Sequence, residues 1–104
     1  MATNAEVIAT LVAAKTEFQA QTDAASGPLM LQLMAIVHHL ADEIGELAVQ
    51  AANDSYVPGT DFFRAETEEA QAFLDSLEHL KSALAGIAAF AKAVDKVIGI
   101  VRGL

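Results

Sequence analysis

The residues best suited to chemistry lie close together in the segment His38-His39-Leu40-Ala41-Asp42-Glu43-Ile44-Gly45-Glu46. On a helix, side chains three or four positions apart share a face, so Glu43 and Glu46 can present two carboxylates together, and His39 can join them. Such a pair is half of a site for a hard divalent cation. Magnesium or manganese needs further oxygen ligands from a second element. Glu66 and Glu69 repeat the three-residue spacing later in the chain. His38 and His39 point about 100° apart around a helix and cannot chelate one ion together. His79 is isolated. The competing reading of the same residues is a solvated helix face, on which His39–Glu43 and His38–Asp42 are pairs worth only a few tenths of a kcal/mol.

The elements that must position these groups read as helices. Thr3-Asn4-Ala5-Glu6 has the form of a capping box, and Val7, Leu11, Ala14 and Phe18 form one stripe, so a first helix is expected over residues 4–25. Ser26-Gly27-Pro28 ends it and opens a second, expected over 28–53. There Leu33, Leu40 and Leu47 mark the apolar face, and Gln32, His39, Glu43, Glu46 and Gln50 form a polar stripe about 100° away. Asn53-Asp54-Ser55 and Val57-Pro58-Gly59 mark a loop. Thr60 or Asp61 is expected to cap a third helix running from Phe62 to Arg102. Its apolar seam, through Phe73, Leu77, Leu80, Leu84 and Ile87, keeps near-heptad spacing. Unbroken, that helix is about 60 Å long. Its distal half would then expose Ile87, Ala91, Val94, Ile98 and Val101 as one stripe. A second copy of the chain is expected to cover the stripe. The acidic first half and basic second half of the helix favour antiparallel pairing. The alternative is a bend near Gly86 that makes a four-helix bundle in one chain. No turn residue stands beside Gly86, which favours the continuous helix and a homodimer. The fold class is therefore all-α: a single domain over residues 1–104, an antiparallel bundle with a long third helix.

Leu40-Ala41-Asp42-Glu43-Ile44-Gly45-Glu46-Leu47-Ala48 resembles the first metal helix of the MazG-like all-α nucleotide pyrophosphohydrolases. In that family two acidic pairs on neighbouring helices bind magnesium ions, which hold a nucleoside triphosphate for attack by water. The resemblance implies Glu43, Glu46, Glu66 and Glu69 as ligands of Mg2+. The family's second pair is Glu-x-x-Asp, where this chain has Glu66-x-x-Glu69, or the reversed Asp75-x-x-Glu78.

Composition narrows the remaining classes. With no cysteine, thiolate metal sites, disulfides and thiol nucleophiles are excluded. The net charge of −8 argues against general nucleic-acid binding. Thirteen of the fourteen acids precede His79, against two of the six basic residues. No Gly-x-Ser-x-Gly elbow and no glycine-rich phosphate loop is present. No signal peptide is visible, and the longest apolar run, ALAGIAAFA, is too short to span a bilayer. A cytoplasmic protein without membrane insertion is expected. The amphipathic C-terminal segment could instead lie on a membrane surface, although tryptophan is absent. The leading expectation is a non-enzymatic interaction or assembly module without a cofactor. The MazG-like hydrolase and the membrane-surface binder are its alternatives.

Overall fold

A computed structural model describes residues 2–103. Four helices follow one another: α1 (Asn4–Ala24), α2 (Gly27–Ala48), α3 (Glu68–Ala83) and α4 (Ala88–Val101), with one 3-10 turn, Asp61–Phe63, before α3. The capping box forms as its sequence requires. The Glu6 amide donates to Thr3 Oγ1 at 3.2 Å, and the Thr3 amide donates to Glu6 Oε1 at 3.0 Å. The bond to Thr3 holds the Glu6 carboxyl below the usual range. At the next boundary Gly27 takes a left-handed φ of 64° and Pro28 occupies the first turn of α2. A β-carbon would be strained there, and proline needs no amide partner in a first turn.

The third segment departs from the continuous helix. The Asp61–Phe63 turn is followed by irregular chain, and α3 starts only where Thr67 Oγ1 accepts from the Ala70 amide. Glu66 therefore lies before the helix. The chain breaks again between Leu84 and Ile87, and α4 folds back on α1 and α3. The reason is burial. A straight helix would leave its distal apolar face in water, whereas the folded-back α4 places Phe90, Val94, Val97, Ile98 and Val101 in the core. Phe18 of α1 meets Phe90 of α4 with ring centroids 4.8 Å apart. Gly86 needs no special conformation, and a β-carbon there would meet nothing.

This corrects the expected dimer stripe. Val94, Ile98 and Val101 are buried within one chain, and Ile87 and Ala91 are half-buried, so no apolar overhang is left for a second copy to cover. In the same packing the apolar face of α4, the face that the membrane-surface alternative would use, is turned inward. Among the described residues no helix is long and apolar enough to cross a membrane.

Leu40, Leu47 and Leu77 lie at helix contacts and are fully buried. Truncating any one to alanine is expected to lower unfolding free energy by about 2–5 kcal/mol in urea titrations. Losses below about 1 kcal/mol at all three would contradict this core.

Candidate functional site

The most elaborate polar site in the molecule is built around Glu43. The side chain is 0% exposed, the one buried acid among the described residues. It sits in the row Leu33, Ile36, Leu40, Glu43, Leu47, the buried face of α2. Its carboxylate meets the loop that follows α2. Oε2 accepts from the Tyr56 hydroxyl at 2.7 Å and from the Gly59 amide at 2.9 Å. Oε1 accepts from the Thr60 amide at 2.9 Å and from the Thr60 hydroxyl at 2.8 Å. Four donors thus fill both oxygens, as a buried charge requires.

The local sequence explains how the loop reaches α2. Pro58 has no amide of its own, so the next donors available are the Gly59 and Thr60 amides. Gly59 is needed for close approach: a β-carbon there would lie 2.6 Å from the Glu46 Cβ. The other end of the loop is tied to the start of α1. The Asn4 amide donates to the Asp54 carbonyl and its Nδ2 to the Ala51 carbonyl, both at 2.9 Å, while the Tyr56 amide donates to the Ala2 carbonyl at 2.9 Å. The loop between α2 and the 3-10 turn is thereby fastened on both sides.

Burial, then the bond to Glu43, then the Glu43 charge push the Tyr56 phenol well above its ordinary value of 10.0. A pKa raised by folding means that the neutral phenol is favoured in the native state. Its contribution is complete below pH 10 and is lost as pH rises above it. Wild-type stability is therefore expected to fall more steeply above pH 10 than that of Tyr56→Phe. Tyr56 is the sole tyrosine, so phenolate absorbance should appear only together with unfolding. Phenolate forming near pH 10 while the helical circular dichroism stays native would contradict the assignment.

The expected ligand set does not come together. Glu43 is committed to the loop. Glu46 is exposed and lines a polar cleft with Asn4, Gln50, Asp54 and Arg64. Glu69 lines a different concavity, between α2 and α3, and Glu66 is exposed ahead of α3. The expected polar stripe of α2 is likewise interrupted, since Glu43 faces inward. His39 does not pair with Glu43. Its ring stacks on Phe62, with centroids 3.7 Å apart, and meets the edge of Phe73 at 5.5 Å. Burial lowers the His39 pKa against the opposing pull of Asp42, and His38 lowers it further. His38 is exposed on another side, and His79 lines the α2–α3 groove.

Tyr56 and Thr60 were not legible as site residues, because nothing in their local sequence distinguishes a loop donor from a solvated one. Glu43 did carry a signal: it interrupts an apolar row with the 3-4-3-4 spacing of a buried face. Comparison with protein-family models, with curated proteins and with solved structures gives no match.

Proposed function

We propose that this chain is a non-enzymatic helical-bundle module that acts by binding another macromolecule. The observation that carries the reading is the fourfold hydrogen bonding of Glu43, which assigns the most distinctive acid of α2 to the architecture of the fold. Under the MazG-like alternative this residue would be a magnesium ligand. It would first have to surrender donors from half-buried Tyr56, Gly59 and Thr60, and a donor left unpaired out of reach of water costs about 1–3 kcal/mol. The separation of Glu46 and Glu69 into different concavities also favours the binding module.

The test is pyrophosphate release from a panel of nucleoside triphosphates with magnesium or manganese. No release is expected. Turnover that disappears in both Glu46→Gln and Glu69→Gln would overturn the binding-module reading and restore the hydrolase.

A further inference from the structure

The bundle is not closed evenly. α1 packs closely on α2 and α4, and α4 packs on α3, but α2 and α3 scarcely touch. Phe62 lies between them, stacked on His39 of α2 and set edge-on to Phe73 of α3 at 6.1 Å. Beyond this wedge runs an open groove of about 500 Å³. Its α2 wall is Gln32, Ala35, Ile36 and His39, one helix face at positions i, i+3, i+4 and i+7. The α3 wall follows the same spacing from Glu69 through Ala72, Phe73 and Ser76 to Leu80. The trough is thus about 16 Å long at 1.5 Å per residue. Small, exposed Ala35 and Ala72 leave its middle empty.

Charge on the two walls is one-sided. α2 contains no lysine or arginine, and α3 contains only Lys81, which is held by Asp95 at 2.6 Å. Glu69 and Asp75 line the groove, and Asp42, Glu68 and Glu78 are exposed on the same two helices. A second copy of this chain does not complement such a rim. Its most basic helix, α4, has its apolar face in its own core, and Arg64 is paired with Asp61.

We infer that the α2–α3 groove receives a basic amphipathic helix from a different protein. Apolar anchors at i, i+3 or i+4, and i+7 enter the trough, and flanking lysines or arginines meet the acids of α2 and α3. The occupant completes the ring that α2 and α3 leave open. This rests on the binding-module reading and names the site and partner class for it.

The probe is a fluorescein-labelled helical peptide with leucine at i, i+4, i+7 and i+11 and lysine or arginine on the remaining face. Its charge-inverted mate carries glutamate instead. Anisotropy titrations are expected to show the basic peptide binding at least about tenfold more tightly than its mate, with affinity falling as salt rises. Ala72→Arg, and separately the pair Glu69→Lys with Asp75→Lys, should each weaken binding about tenfold or more. All three positions are exposed, so helical circular dichroism should stay native. Equal affinity for the two peptides, no binding of the basic one, or binding unchanged in both variants would overturn the groove assignment. The nucleotide assay reads separately: turnover would overturn the module reading, whereas a failed peptide titration without turnover would overturn the groove alone.

Discussion

Glu43→Ala is expected to destabilise the protein by about 3–5 kcal/mol, from donors left without an acceptor and from lost packing. The loss has two parts. Four donors lose their acceptor, of which the Gly59 and Thr60 amides are fixed by the backbone, and a cavity opens in the α2 face between Leu40 and Leu47. Glu43→Gln keeps the volume but sets an amide NH2 against donors on one side. It should cost about 2–3 kcal/mol, equivalent to a fall of roughly 8–24 °C in melting temperature for a domain of this size. Glu46→Gln, at an exposed position, should stay within about 0.5 kcal/mol of wild type. Gly59→Ala should reproduce part of the Glu43 defect, because the β-carbon forces the loop away from α2. Urea denaturation of the four variants gives the ranking, and equal stabilities for Glu43→Gln and Glu46→Gln would contradict it.

Val94→Asp is expected to unfold the chain or bring it close to unfolding. Val94 is fully buried in α4, and the substitution removes apolar burial while placing a carboxylate where the core offers no partner. Domains of this size are stable by only about 5–15 kcal/mol, and such a change removes about 4 kcal/mol or more. Lys92→Gln, on the exposed side of the same helix, should shift stability by no more than about 0.5 kcal/mol. Circular dichroism with sedimentation equilibrium separates this from the interface role that the continuous helix implied. A natively folded Val94→Asp with weakened self-association would return Val94 to an interface.

The sequence made the first half of the fold legible because its signals are local. The capping box at Thr3 and Glu6, the stripe Val7, Leu11, Ala14 and Phe18, and the Gly27-Pro28 boundary all depend on neighbours within a few residues, and all appear as read. The break at Leu84–Ile87 has no such signal. The apolar positions of α3 and α4 run on at nearly the same period, so a folded-back pair of helices and one long helix share a pattern. Only a slight change of phase gives it away: Phe90 and Val97 enter the core, while Ala91 turns partly outward. What decides between the two is long-range burial against α1, which periodicity does not report. The candidate site is hidden in the sequence for a related reason. By its charge Glu43 reads as part of the polar stripe, although its position belongs with Ile36, Leu40 and Leu47. Its partners lie 13 to 17 residues away in the loop, beyond the reach of any helical spacing rule.

Thermal unfolding of wild type and Glu43→Gln across magnesium and manganese, from none to millimolar, tests most directly whether this acid belongs to the fold or to a metal. A ligand that binds the native state raises the melting temperature by linkage. The account predicts a wild-type midpoint that metal leaves unmoved, and a variant midpoint lower by the same interval at every concentration. A metal-dependent rise in wild type that is absent from Glu43→Gln would contradict it.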